Sequence, residues 1–282
     1  MSVPSSPAEP RPFLVIRPPR RCAPFNLREL WQFRDLLVRF ARRDLTLRYR
    51  QTALGVIWVV LQPLLAAGAL AFVFGSVAGL SSGGVPYFAF AFAGMLAWNV
   101  FSGLVTRMSS SLVGNAQLVS KIFFPRLVLP LSSMGSVLVD FLVATLMMVV
   151  IWPLAGIAPG WSLITLPVWL GGVLLLASGI GLFAAALMVP YRDVQYVLPV
   201  ATQLLLFISP VGYALARIPD SARFLYELNP LTGLLEGFRW ALLDIGRLNT
   251  FATVWAFGCS VAFFAVGSLA FAHMERRFAD VI

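Results

Sequence analysis

Long apolar segments separated by short polar ones dominate the chain. Six segments have the roughly 20 mainly apolar residues that a helix needs to cross the hydrocarbon core of a bilayer. Their continuity favours helices over the short alternating segments of a membrane barrel. The sequence therefore predicts an all-α integral membrane protein with six membrane-spanning helices. The spans are predicted at about 54–75, 87–108, 127–152, 163–189, 196–214 and 250–271.

An amphipathic interface helix is predicted before the first span, over residues 26–50. On a helical wheel, basic and polar residues share one arc and apolar residues fill most of the remainder. This pattern is typical of a helix that lies along a membrane surface, with its arginines toward lipid phosphates or toward a cytoplasmic partner. A helix that serves only as a positive anchor is the alternative. The residues singled out on this interface helix are Trp31, Arg39, Arg42 and Arg43.

Composition and charge support this topology. The chain has 282 residues, of which 59% are hydrophobic and 12% charged, and its mean hydropathy of +0.85 is outside the range of ordinary soluble domains. Seventeen of its 21 Lys and Arg residues fall on one side of a six-span arrangement. By the positive-inside rule both termini are cytoplasmic, and residues 1–25, which are rich in proline, form a flexible cytoplasmic tail. The net charge of +9 is thus a topology signal, and no nucleic-acid partner is expected.

Polar residues inside the predicted spans need an explanation. A carboxylate near the centre of a span costs about 2.5 to 3.5 kcal/mol on insertion scales, so Asp140 should face the interior of the bundle or a cavity. Matching depths along antiparallel helices places Asp140 near the level of Asn99, with Gln62 and Gln203 not far away. A hydrogen-bonded cluster that fixes helix packing and a contact with a hydrophilic substrate both remain open. Pro63 predicts a kink near residue 60.

Several motifs, in order along the chain, resemble one family of membrane proteins. The motifs are RRDLTLRYRQTALGVIWVVLQPLL at 42–65, LVSKIFFPRLVLPLSS at 118–133, VDFLVA at 139–144, PYRDVQYVLP at 190–199, SPVGY at 209–213 and LNPLTGLLEGFR at 228–239. Together they resemble the membrane subunits of ABC-2 type exporters, especially those that move lipid-linked polysaccharides such as O-antigen, capsule or teichoic acid. The resemblance assigns residues 51–282 to an ABC-2 type transmembrane domain.

Such an exporter needs a source of ATP energy. A phosphate-binding P-loop requires a glycine-rich turn followed by lysine, but the single lysine, Lys121, has no such glycines before it. No cofactor is therefore expected in this chain. The resemblance implies a homodimer of this chain with two ATP-binding cassette subunits, which carry ATP and Mg.

The contacts with these ATP-binding subunits are expected in the cytoplasmic loops. In the resembling family the loop after the second span carries a coupling helix that docks on the ATPase, and residues 109–126 contain a short mixed helix of that kind. A second, shorter loop adds a polar contact. The coupling residues are Leu112, Asn115, Gln117, Val119, Lys121 and Phe123 in the first loop and Arg192 and Asp193 in the second.

The external segment between the fifth and sixth spans, residues 214–249, is unusually apolar. Two short helices broken at Asn229 and Pro230 are expected there, dipping partly into the outer leaflet. In the resembling family, re-entrant helices at this place form an external gate. Aromatic side chains there could stack on sugars, or belong to an aromatic belt at the membrane surface. The residues assigned to this gate or to the substrate path are Tyr213, Tyr226, Asn229, Phe238 and Trp240.

The function expected from these features is export. The chain is interpreted as the permease subunit of an ATP-driven exporter in a bacterial inner membrane, in contact with lipid and with a lipid-linked glycan. An ABC-2 exporter of a small hydrophobic compound is the alternative. An enzyme is disfavoured, because the single histidine stands alone and neither catalytic residues nor metal-ligand spacing is evident.

Overall fold

The computed structural model describes residues 27–50, 57–122, 124–215, 218–246, 248–275 and 278. Within these ranges the chain forms helices, turns and bends without a strand, which confirms the all-α class. Residues 1–25 and Phe123 lie outside the described residues. The helices are α1 (Leu27–Gln32), α2 (Arg34–Arg50), α3 (Ile57–Leu70), α4 (Tyr87–Gly114), α5 (Ala116–Lys121), α6 (Val128–Leu154), α7 (Leu166–Met188), α8 (Val194–Ile208), α9 (Asp220–Leu228), α10 (Pro230–Leu243) and α11 (Thr250–Met274).

Five helical segments of the described chain are long and apolar enough to cross a membrane. Each overlaps one of the predicted spans, and together they make the protein a multi-pass membrane protein. A π-helical segment extends α3, and a 3-10 turn precedes α7. The five segments are Ile57–Val77, Tyr87–Gly114, Val128–Leu154, Trp161–Met188 and Thr250–Met274.

The helix predicted over 196–214 is shorter in the structure. It is α8, which has 15 residues and a length of about 22 Å, less than the roughly 30 Å of a bilayer core. It ends at Ile208 because Pro210 disfavours helical backbone at the residue before it. Ser209 is accordingly extended, with ψ of 144°.

The described part of the first span, Ile57–Val77, is helical throughout, although it contains a proline. Pro63 is buried within α3, and the change of helical geometry comes later, at the π-helical segment Ala71–Val77. There Gly75 faces the ring of Tyr87, and a Cβ at that position would lie 2.9 Å from the Tyr87 Cγ. The π segment thus places the end of the first span against the start of α4, while a kink at Pro63 stays a prediction.

Of the five long spans, α4 and α7 are the most buried, and they form the centre of the bundle. They pack against each other, and α7 also packs along α11. The contact of α7 with α11 depends on small residues, because a Cβ added at Gly267 would lie 2.0 Å from the Gly179 carbonyl oxygen. Such close approach of backbones is how helices associate in lipid, where burial of apolar side chains supplies little driving force.

The bundle has two chemically different ends. The basic end carries α2, α5 and the end of α11, and its elements are joined by hydrogen bonds such as Arg43 to Asn115 and Arg126 to Glu275. The opposite end carries α9, α10 and the turn after α8, which is bonded to α10. These two ends hold most of the residues assigned from the sequence.

Candidate functional site at the two ends of the bundle

Helix α2 lies against the bundle along one face. Leu37 and Phe40 pack on the core, and the Phe40 ring lies 5.8 Å from that of Phe124, which follows α5. Gly135 on α6 allows close contact, since a Cβ there would lie 2.9 Å from the Ala41 Cβ. The interface helix is therefore a packed part of the fold, in contact with both α6 and the α5 loop.

The basic residues of α2 divide between two faces. Arg39 and Arg42 are exposed, and so is Trp31 at 69%. Arg43 does not share that face: its Nη2 donates to the Asp44 carboxylate at 2.8 Å and to the Asn115 side-chain oxygen at 2.9 Å. Arg43 therefore ties α2 to the turn between α4 and α5.

Asp140 is the centre of a charged cluster that joins three helices. Its carboxylate accepts hydrogen bonds from Arg48 of α2 and from Arg107 of α4, the latter at 2.6 Å. Arg107 also donates to the Ser136 hydroxyl at 2.7 Å. The side chain of Asp140 is only 16% exposed, so its charge is compensated within the bundle. We call Arg48, Arg107, Ser136 and Asp140 the Asp140 cluster.

The partners of Asp140 differ from those expected by matching depths. Asn99 lies eight residues before Arg107 on α4, or about 12 Å along the axis. Gln62 and Gln203 are exposed on α3 and α8, so they are not part of a buried cluster with Asp140. The long side chain of an arginine can bring its guanidinium to a carboxylate at another level, which matching of residue depths does not take into account. Arg107, at the edge of a predicted span, was the signal that could have found the pair.

The α5 region presents a small polar surface at the basic end. Leu112 and Val119 are buried and anchor it, whereas Asn115 is half-buried. Among the residues assigned to ATPase coupling, the exposed ones in the described chain are Gln117, Lys121, Arg192 and Asp193.

Residues at and after the end of α11 bind Arg126, which lies in the segment between α5 and α6. Arg126, just before α6, donates from Nη1 to the Glu275 carbonyl at 2.7 Å, and its backbone N–H donates to the Glu275 carboxylate. Its guanidinium also lies over the ring of Phe278, which is 1% exposed and packs edge-on against Phe271. We call Arg126, Phe271, Glu275 and Phe278 the C-terminal clamp. This cluster was not predictable from sequence patterns, because Arg126 lies about 150 residues before the other three members.

At the opposite end, a buried arginine fixes the turn after α8. Arg239 is 1% exposed, and its Nη2 donates to the carbonyls of Pro210 and Val211, each at 2.6 Å. Nη1 donates to the Glu236 carboxylate at 2.9 Å, and the guanidinium lies 3.9 Å from the centre of the Phe90 ring. This role of Arg239 was not predicted from the sequence.

Two further contacts hold the same turn. The Tyr87 hydroxyl donates to the Gly212 carbonyl at 2.6 Å, and the Tyr213 hydroxyl donates to the Phe207 carbonyl at 2.9 Å, which satisfies an end group of α8. Gly94 on α4 makes room for the arrangement, because a Cβ there would lie 2.5 Å from the Val211 oxygen. The turn at 209–213 is thus a fixed element of this end.

The residues assigned to an external gate have different surroundings. Asn229 separates α9 from α10 as expected, accepts from the Leu231 N–H and donates to the Ser209 hydroxyl at 2.9 Å. Tyr213 and Tyr226 meet edge to face at 6.3 Å, and Trp240 is half-buried. Phe238 is fully buried against Phe141, so it belongs to the core and cannot stack on a ligand in this conformation.

Comparison with known proteins identifies the family. Residues 36–243 match the family described as "ABC-2 type transporter". The chain belongs to the ABC-2 type transporter family. This ABC-2 subunit is a transport component rather than an enzyme, and the family works with a separate ATP-binding subunit, as the sequence motifs predicted.

Several curated proteins resemble this ABC-2 subunit over nearly its whole length. The O-antigen export system permease protein RfbA of Myxococcus xanthus is 31% identical over 259 residues, which cover 91% of this chain and 98% of the relative. A protein of the same name from Klebsiella pneumoniae is 28% identical over 250 residues, covering 88% and 95%. The polysialic acid transport protein KpsM of Escherichia coli is 24% identical over 206 residues, covering 71% and 78%.

Proposed function

We propose that this ABC-2 subunit forms the path through which a lipid-linked polysaccharide, such as O-antigen, crosses a bacterial inner membrane. The observation that carries the proposal is the alignment, over 91% of the chain, with a permease named for O-antigen export. In this proposal both termini are cytoplasmic, so the basic end faces the cytoplasm and the opposite end faces outward.

The assembly proposed is a homodimer of this chain with two ATP-binding subunits, which bind ATP and Mg. The faces of α3 and α8 support the dimer. Residues along α3 are exposed at helical spacing, and α8 has no buried residue among those described. Gln62 and Gln203 lie on these faces, where lipid would leave their amides unsatisfied. The large exposed residues of α6, by contrast, are all apolar. The exposed faces of α3 and α8 therefore suit contact with a second copy or with a polar path, whereas the exposed face of α6 suits contact with lipid.

The membrane crossing of α8 is part of the proposal. Its 15 residues are too short alone, but the turn at 209–213 continues it toward the opposite end. Backbone without helical hydrogen bonds is tolerated at membrane depth only where protein covers it, and Arg239 and Tyr87 bind the carbonyls of this turn. With α8 the chain crosses six times, and α9 and α10 form a re-entrant pair in the outer leaflet.

Contact with the ATP-binding subunits is proposed at the exposed side of α5 and at Arg192 and Asp193. Helix α2 contacts Asn115 and Phe124, which flank α5, and the C-terminal clamp holds Arg126 in the segment that follows. The exposed face of α2, with Arg39 and Arg42, is proposed to meet lipid phosphates of the inner leaflet. Motion of an ATP-binding subunit would then pass through α5 to the membrane helices.

Depletion of the protein in its own cells tests the function. The expected result is loss of surface polysaccharide together with accumulation of the lipid-linked form on the cytoplasmic side. Normal surface polysaccharide with increased sensitivity to small hydrophobic compounds would instead indicate the alternative substrate. Re-expression of the intact chain controls for indirect effects of the depletion.

A further inference from the structure

The connection between α6 and α7 exposes large apolar side chains at the end of the bundle that also carries α9 and α10. Leu154, the last residue of α6, is 83% exposed. In the 3-10 turn before α7, Trp161 is 88% exposed and Ile164 is 69% exposed. We call these three residues the α6–α7 tip. Exposed apolar surfaces of this kind mark contacts with a partner or with a membrane.

The sequence around the tip carries no charge. Between Asp140 and Arg192 there is no Asp, Glu, Lys, Arg or His, and this interval includes the end of α6, the connection and all of α7. Residues 214–249, at the same end of the bundle, contain eight charged residues by comparison. A neutral and apolar connection is poorly suited to water or to a charged partner, whereas the interface of a bilayer accepts apolar and aromatic side chains.

The tip also continues an exposed apolar stripe of α6. Large apolar side chains are exposed at helical spacing along this span, at Leu142, Leu146 and Val149, and the series ends at Leu154. With 27 residues, α6 is about 40 Å long, which exceeds the roughly 30 Å of a bilayer core. The end of α6 and the connection after it therefore reach the interface, where tryptophan is enriched in membrane proteins. Lipid is the occupant that extends a contact already made by this span.

The inner side of the same connection binds the C-terminal end of α10. The Trp152 Nε1–H donates to the Leu242 carbonyl at 2.8 Å, and the Ser162 hydroxyl donates to the Ala241 carbonyl at 3.4 Å. Carbonyls in the last turn of a helix have no partner within the helix, so these side chains satisfy them. The end of α10 is thereby attached to the segment that carries the tip.

We infer that the α6–α7 tip inserts into the interface of the outer leaflet, with Trp161 as its anchor, and that this lipid contact sets the depth of the C-terminal end of α10. The leaflet follows from the proposed orientation of the chain, whereas the contact with lipid does not depend on it. Because the tip is uncharged, the contact needs no anionic lipid, in contrast to the basic surface of α2. The tip is separate from the faces of α3 and α8.

The test measures the depth of the tip in the intact complex with the ATP-binding subunit, in phosphatidylcholine nanodiscs. A nitroxide is attached to a single cysteine at Ile164, with Trp161 retained and the two native cysteines replaced by Ser. Its collisions with oxygen, which partitions into lipid, and with a water-soluble nickel chelate are compared by EPR power saturation. Labels at Val149 on α6 and at Ser81, exposed in the loop before α4, are the references for hydrocarbon and for water.

We expect the Ile164 label to lie between the two references in depth, and to keep that depth when phosphatidylglycerol is added to the nanodiscs. Trp161→Glu should shift the label toward the Ser81 value. Trp161→Tyr is the matched control, because it keeps an interfacial aromatic ring and should leave the label within the interface. Nickel access equal to that of Ser81 in the unaltered chain would place the tip in water, and protection from both reagents would mean that protein covers it. Either result would overturn the inference.

The link with α10 is tested by amide hydrogen exchange in the same nanodiscs. Trp161→Glu should speed exchange over residues 241–246, while the start of α10, where Asn229 binds Ser209, should exchange as in the unaltered chain. Unchanged exchange over 241–246 in a variant whose label has moved toward water would overturn this link. Both measurements are independent of the exported substrate, so the tip could fail as an anchor while the export function stands.

Discussion

At the scale of single residues, the Asp140 carboxylate on α6 is expected to stabilise the packing of three helices, because it binds arginines of α2 and α4. Replacement by Asn should lower stability, because Arg48 and Arg107 would each lose a charged hydrogen-bond acceptor on α6. Charge-assisted hydrogen bonds of this kind contribute about 1.5 to 3 kcal/mol each, so Asp140→Asn should clearly lower the thermal unfolding midpoint in nanodiscs. Asp35→Asn is the control, since the Asp35 side chain is 88% exposed, and it should unfold like the original.

The same variant separates the two interpretations of Asp140. If it unfolds at the original temperature but exports less glycan, then the carboxylate contacts the substrate and its bonds to Arg48 and Arg107 contribute little to stability. Reduced stability with proportionate loss of export supports the structural role. It was predictable from the sequence that the charge of Asp140 must be compensated. The groups that compensate it, Arg48 and Arg107, were not, because α2, α4 and α6 meet only in the folded bundle.

Arg239 makes a second prediction at this scale. Lysine has a single nitrogen and cannot bind two carbonyls, a carboxylate and the face of Phe90 together. Arg239→Lys should therefore loosen the turn at 209–213, seen as faster amide hydrogen exchange there. Arg223→Lys is the comparison, because Arg223 is half-exposed and makes one pair with Glu227. Equal protection of the turn in both variants would mean that Tyr87, Tyr213 and Asn229 hold it without the Arg239 guanidinium.

At the scale of elements, the sequence predicts long apolar helices well and their interruptions less well. Five spans follow from length and hydropathy, because a lipid environment demands both. The end of α8 at Ile208 was missed since the apolar run continues past it, although Pro210 carries the signal. The break between α9 and α10 was predictable, because Asn229 and Pro230 are local signals for a helix start.

The C-terminal clamp is an element that hydropathy could not indicate. Phe278→Ala removes a ring that is 1% exposed and that contacts Phe271 and Arg126. Its loss should loosen the segment between α5 and α6, which contains Arg126. The expected result is weaker copurification of the ATP-binding subunit with a normal amount of membrane-inserted permease. Phe183→Ala removes a ring of equal size from a position that is 43% exposed and should leave copurification unchanged. Equal copurification in both variants would separate the clamp from ATPase docking.

At the scale of the whole molecule, the bundle has two kinds of exposed face: some suit contact with lipid, and others suit contact with protein. Most exposed side chains on α6 and α11 are apolar, so lipid can cover them. The faces of α3 and α8 include Gln62 and Gln203, which in a single copy would face hydrocarbon. The family and function could be inferred from ordered motifs in the sequence. The distinction between these faces could not, because it requires knowledge of which residues of each helix the bundle leaves exposed.

Cysteine cross-linking in native membranes tests the proposed dimer. In a background with Cys22 and Cys259 replaced by Ser, single cysteines are placed at exposed positions along α3 (Trp58, Gln62, Leu65 and Ala69) and, as the control, at Val149 on α6. A disulfide needs Cα atoms within about 7 Å, so only positions near a two-fold axis can form one with their own copy. We expect oxidised dimers from at least one α3 position and none from Val149. Dimers from Val149 alone would place the dimer interface at α6. Gln62 would then have to face the export path instead of the second copy of the chain.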